Sequence, residues 1–168
     1  MLRSATVARY YPIASSLPNG RLRCVFAWGC AMPAIEGILE TSLYVADLAR
    51  SAAFYRDILG LTPFFESHRL IALDAGKQGV LLLFPAGVEI GDLTDAGGTV
   101  PGHGGSGRLH LAFAISAQAL PKWRETLAAH DIAITAEHRW RRGGVSLYFD
   151  DPDGHVLELA TPGLWPTY

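Results

Sequence analysis

The sequence predicts an α+β fold made of two copies of one βαβββ module, forming a curved mixed-sheet cup with the helices outside. Three observations carry this. Leu39-Glu40-Thr41-Ser42-Leu43-Tyr44-Val45 alternates with period two and recurs as Leu109-His110-Leu111-Ala112-Phe113-Ala114-Ile115, seventy residues on. Each run is followed by a helix signal and then by three short apolar runs, in the same order. Between the copies, residues 87–106 hold seven glycines and few apolar residues, which suits a mobile crossing loop.

In the first copy Leu39, Thr41, Leu43 and Val45 share one strand face. Asp47 caps a helix on which Leu48, Ala52, Tyr55 and Leu59 fall four, three and four apart, and Gly60 stops it. Strands are expected at Thr62–Glu66, Leu70–Asp74 and Val80–Phe84. In the second copy Ser116 caps a helix carrying Leu120, Trp123 and Leu127, and strands are expected at Ile132–Glu137, Val145–Phe149 and Val156–Ala160. Asp151-Pro152-Asp153-Gly154 has the residues of a type I turn and is expected to set the register of the last strand. The expected organisation is an N-terminal extension at 1–36, loosely ordered, modules at 37–86 and 107–162 joined by a linker at 87–106, and a tail at 163–168.

Composition narrows the partners. Apolar residues make up 49% and charged residues 18%, which excludes disorder. Fourteen basic and sixteen acidic residues leave a charge of −2, too small a field to hold nucleic acid or anionic lipid. The longest stretch without Asp, Glu, Lys or Arg, Leu109 to Pro121, is too short to span a bilayer. Cys24 and Cys30 are too few for a disulfide framework, so a reducing, cytoplasmic location is expected. Residues 1–31 precede the repeat, carry four of the arginines, and are expected to be dispensable, with Met32 an alternative start.

Opposite the large aliphatic side chains, the first strand of each copy carries Glu40, Ser42 and Tyr44, or His110, Ala112 and Ala114. Glu40 and His110 are thus equivalent positions. On the last strand Glu158 stands among apolar neighbours, where a carboxylate is costly unless paired or bound to a cation. Singly, each residue suits an ordinary strand face; together they are a ligand set.

Three segments carry a family resemblance: Leu43-Tyr44-Val45-Ala46-Asp47-Leu48 with Ser51-Ala52-Ala53-Phe54-Tyr55-Arg56-Asp57-Ile58-Leu59-Gly60-Leu61; Gly107 to Phe113; and Ser146 to Leu159. Over residues 37–162 the chain resembles the vicinal oxygen chelate superfamily of glyoxalase I, fosfomycin-resistance proteins, extradiol dioxygenases and bleomycin-resistance proteins. The resemblance implies one divalent ion, Mn, Fe, Zn, Ni or Mg, held by Glu40, His110 and Glu158. Glu40 replaces the family's commoner histidine, and Leu82 stands where glyoxalase I-like enzymes place a fourth ligand. Two carboxylates would neutralise the ion, lowering its Lewis acidity and favouring harder metals.

Tyr148 resembles the tyrosine that contacts substrate in fosfomycin-resistance enzymes and is a candidate hydrogen-bond donor to a developing oxyanion. His103, on the linker, is a candidate catalytic residue on a lid. Arg139-Trp140-Arg141-Arg142 is expected to solvate a hairpin rather than bind an anion. The implied activity is a metal-dependent lyase or isomerase working through a stabilised enediolate or alkoxide of a small oxygen-chelating substrate. Ring cleavage by an extradiol-type dioxygenase and non-catalytic sequestration, as in bleomycin resistance, are the alternatives. A homodimer is expected, its modules pairing either within one chain or across the dimer.

Overall fold

A computed structural model describes residues 33–168 apart from Glu89, and its main body is Ile38–Tyr168. Most of the expected N-terminal extension, with both cysteines and the Met32 start, lies outside the described residues. The elements are β1 (Glu40–Val45), α1 (Leu48–Asp57), β2 (Thr62–Glu66), β3 (Ile71–Asp74), β4 (Val80–Pro85), β5 (Leu93–Asp95), β6 (Gly98–Val100), β7 (His110–Ala114), α2 (Leu120–Ala129), β8 (Ala136–Arg139), β9 (Val145–Asp150) and β10 (Val156–Ala160).

Both modules fold to one plan. The first sheet runs β1-β4-β3-β2 and the second β7-β10-β9-β8, so in each the first strand pairs with the last. Those pairs, β1 with β4 and β7 with β10, are parallel; the others are antiparallel. Glu40 stands opposite Val80 as His110 stands opposite Val156, so Leu82 and Glu158 are equivalent positions. The oily faces of both sheets meet in one core, where Val45, Tyr55, Leu81, Leu83, Leu127, Leu147, Phe149 and Leu157 are fully buried.

Local chemistry explains the helix ends. Asp47 accepts the Arg50 N–H at 3.0 Å. After the last turn of α1, Leu61 N–H bonds Tyr55 O and Gly60 N–H bonds Arg56 O, both at 3.1 Å, a Schellman closure with Gly60 at φ +73°. Ser116 caps a short 3₁₀ turn, Ala117–Ala119, that leads into α2.

Two expectations are corrected. The strand expected at Ile132–Glu137 lies at Ala136–Arg139: Asp131 turns the chain at φ +55°, and Ile132 N–H closes onto Leu127 O. The N–H and hydroxyl of Thr135 both donate to Tyr148 O, so pairing with β9 begins only afterwards. The linker, expected as a plain mobile loop, contains the β5–β6 hairpin, turned by Asp95 accepting Gly97 N–H at 2.7 Å and joined by a Thr94–Thr99 hydroxyl bond at 3.0 Å.

The turn at 151–154 does more than set register: it joins the modules. Asp151 accepts the Tyr55 hydroxyl at 2.7 Å, and Asp153 accepts Ala46 N–H, Ser51 Oγ–H and Arg50 Nη2–H at 2.7, 2.7 and 2.8 Å. Burial, then the neighbouring carboxylates Asp151 and Asp153, push the Tyr55 phenol far above the ordinary range. Burial works the other way on Asp153, yet the donors from Ser51, Ala46 and Arg50 outweigh it and hold its carboxyl below the usual value.

The two shifts bracket the stable range. Tyr55 stays protonated in the fold while the unfolded phenol ionises near pH ~10, so stability is full below that pH and falls as pH rises past it. Asp153 contributes above the unfolded carboxyl value of about 3.9, and its contribution is lost as pH falls through its lower folded value. Tyr55→Phe is expected to cost about 1.5–3 kcal/mol at neutral pH and to flatten the alkaline limb, read by denaturant titration at pH 7 and 10.5.

Candidate metal centre

On the second sheet, the face opposite the core is laid out by register. One row runs Ala112, Glu158, Tyr148 and Ala136; the next runs Ala114, Ala160, Ser146 and His138, with His110 one row before. Small residues dominate this floor. Three polar groups, His110, Glu158 and Tyr148, converge at one end.

Glu158 is 4% exposed; its Oε2 lies 3.2 Å from His110 Nε2, and its Oε1 has no hydrogen-bond partner. The other ring nitrogen, His110 Nδ1, is 3.0 Å from Val156 O. A carbonyl only accepts, so Nδ1 carries the proton and donates, leaving Nε2 to take either a proton or a metal ion. A carboxylate buried with a bare oxygen costs roughly 1–3 kcal/mol or more, a cost that a cation removes. The donor set of imidazole nitrogen and carboxylate fits a divalent ion.

Tyr148 is half-buried, its ring centroid 6.3 Å from that of His110. Burial, then the charge of Glu158 beside it, raises the phenol above its ordinary value, which keeps it a proton donor at neutral pH.

Glu40 is placed elsewhere. It is exposed and lines a groove of about 370 Å³ with Leu39, Lys77, Ala112 and Ala114. Tyr44, at the far end of β1, is tied through His155 to Leu109, at the start of β7. The two edge strands therefore run past each other in opposite directions, with Glu40 and His110 at opposite ends. Within one chain Glu40 thus does not join His110 and Glu158. Consistent with this, no three His, Cys, Asp or Glu side chains gather around a metal position among the described residues.

His103 belongs to the first module. Its Nδ1 is 2.8 Å from Tyr44 Oη and its ring packs edge-on against Phe84 at 4.5 Å. Its backbone pairs both ways with Ile90. A Cβ on Gly102 would meet Ile90 O at 2.2 Å, and one on Gly105 the Tyr44 ring at 2.3 Å, so glycine alone lets this segment lie so close.

The sequence pattern ends β8 before His138 and places Trp140 in a solvated hairpin, without the contacts both make beside Ser146. Trp140 Nε1–H donates to the buried Ser146 Oγ at 2.8 Å, with His138 packed on it at 4.3 Å, walling the far end of the floor. The signal lay in alternation continued two residues beyond the expected strand. Of the neighbouring arginines, Arg139 pairs with Glu137, while Arg141 and Arg142 make no ion pair among the described residues. Among those residues no helix is long and apolar enough to cross a membrane.

Comparison with known proteins converges on the same architecture. The metallothiol transferase FosB of Staphylococcus haemolyticus is 30% identical over 131 residues, 77% of this chain and 86% of that protein. The glutathione transferase FosA of Serratia marcescens is 28% identical over 130 residues, 77% and 84% of the two chains. The crystal structure of lactoylglutathione lyase from Agrobacterium tumefaciens superposes with a TM-score of 0.69 at 32% identity, covering 79% of this chain and 98% of that one. FosX of Mesorhizobium loti, 21% identical with a TM-score of 0.55, shares the fold. The family model matching residues 37–159 spans both modules with their repeated sheets: the chain belongs to the glyoxalase/bleomycin resistance protein/dioxygenase superfamily.

Proposed function

We propose that the chain is a divalent-metal enzyme that adds a small thiol to an oxygen-chelating substrate, or isomerises or cleaves such an adduct, in the thiol-rich cytoplasm. The carrying observation is Glu158, buried with a bare oxygen beside the available Nε2 of His110. Relatives named metallothiol transferase, glutathione transferase and lactoylglutathione lyase support the substrate class.

His110 and Glu158 supply two ligands, and Glu40 the third from a second copy of the chain. Antiparallel passage of β1 and β7 favours this arrangement, because within one chain Glu40 does not gather with His110 and Glu158. A bound ion would polarise neighbouring substrate oxygens. Tyr148 donates its phenolic hydrogen to the oxygen on which negative charge develops, and the small floor of Ala112, Ala114 and Ala160 leaves room for the substrate. Leu82 offers no carboxylate at the mirrored position, so the proton given up by the thiol, or by the adduct, would pass to Glu40, Glu158 or water.

Elemental analysis of protein purified without added metal, with sedimentation and a screen of methylglyoxal–glutathione adduct, thiol plus epoxide, and catechol, tests the reading. One ion per chain, a dimer and thiol-dependent turnover are expected. Catechol cleavage would make it a dioxygenase; a metal-free protein binding an aromatic ligand would make it a sequestering protein. Mixing Glu40→Ala with His110→Ala chains is expected to restore activity that neither has alone, since each mixed dimer then keeps one intact site.

A further inference from the structure

His155 is 3% exposed and makes a bond through each of its two ring nitrogens. Its Nδ1 lies 3.1 Å from Leu109 N and its Nε2 2.8 Å from Tyr44 O. The amide can only donate and the carbonyl can only accept. The ring is therefore the neutral tautomer with its proton on Nε2, held between the first residue before β7 and the end of β1.

The bond to Leu109 belongs to a short zipper closing the start of β7 onto the start of β10. Arg108 Nε–H donates to Gly154 O at 2.9 Å, Val156 N–H to Leu109 O at 2.8 Å, and His110 Nδ1–H to Val156 O at 3.0 Å. His155 is the member of that zipper that also reaches the first module. Its own N–H donates to Asp151 Oδ1 at 2.8 Å, and Gly154, at φ +79°, makes the left-handed turn that folds the ring back. Leu109 directly precedes His110, and Glu158 lies three residues beyond His155.

We propose that His155 is a positioning residue: it fixes the backbone from which His110 projects, and so sets the His110–Glu158 spacing against the first module. The proposal rests on the metal reading of that pair. Groups hydrogen-bonded directly to a metal ligand typically control metal affinity by 10- to 100-fold, and His155, acting through the adjoining backbone, is placed at the low end of that range.

Two substitutions split the two bonds. His155→Asn keeps an acceptor near the Nδ1 position for Leu109 but falls short of Tyr44; His155→Gln reaches Tyr44 but leaves Leu109 N–H without its acceptor. Mn²⁺ affinity of the full chain is expected to stay within about threefold of wild type in His155→Asn and to weaken at least tenfold in His155→Gln. Amide hydrogen exchange of metal-free protein is expected to rise over 109–111 in His155→Gln and to remain low over 41–45. Tyr55→Phe, which removes an inter-module bond to the other Asp151 oxygen and touches neither ring bond of His155, is the control: a lower unfolding temperature with unchanged Mn²⁺ affinity. Unchanged exchange at 109–111 in His155→Gln, or an equal loss of affinity in Tyr55→Phe, overturns the proposal. If the wild type binds no Mn²⁺ the metal reading fails, and the exchange pattern still decides whether His155 orders the His110 strand.

Discussion

Glu158→Gln is expected to empty the metal site and, at the same time, to stabilise the chelated protein. The carboxylate is buried with one oxygen unpaired, so the metal-free fold carries a desolvation cost of roughly 1–3 kcal/mol that a neutral amide largely removes. A charge kept at a cost to folding marks a group held for binding rather than for stability. Thermal unfolding in EDTA should show a higher midpoint for the variant, while mass spectrometry of protein prepared without EDTA should find little metal. A variant that keeps stoichiometric metal would remove Glu158 from the ligand set. A variant destabilised in EDTA would mean that Glu158 serves mainly as ion-pair partner to a protonated His110.

Tyr148→Phe should lower turnover by about a hundred- to a thousandfold, the ~2.7–4 kcal/mol typical of one oriented oxyanion donor, with metal content unchanged. Burial and the adjacent Glu158 keep the phenol protonated, so the donor is in place throughout the neutral range. Because the ring also sits beside His110, the substitution keeps the aromatic packing and removes only the hydroxyl. Unchanged kinetics would assign Tyr148 to packing and leave charge stabilisation to the ion alone.

The modular fold was legible because alternation and capping are local. Glu40 to Val45 and His110 to Ala114 form strands where the period-two pattern requires, and Asp47 and Gly60 end α1 through side-chain and backbone bonds visible in the sequence. Alternation also gives the face on which Glu40, His110 and Glu158 project. It carries no information on the direction in which two edge strands pass each other. That direction is set by His155, Asp151 and Asp153, whose partners lie about a hundred residues away. Equivalence of Glu40 and His110 in the repeat therefore did not imply proximity in one chain. The Trp140–Ser146 contact and the seating of His103 on Tyr44 were hidden for a related reason: both depend on hairpin and linker paths that glycines permit but do not encode.

The strand order of each sheet also dictates when the molecule can come together. Glu40 waits for Val80, and His110 for Val156, so in each half the first strand has no hydrogen-bonded neighbour in its sheet until the last has been made. Closing such a loop carries an entropic cost that grows slowly with its length, and the intervening helix and hairpins form first at lower cost. During synthesis the first half can thus complete its sheet before the second exists. In the second half, the event that completes the sheet is the same one that brings Glu158 beside His110. A metal added during refolding should therefore leave the early phase untouched and act only on the late one, holding the closed second half against reopening.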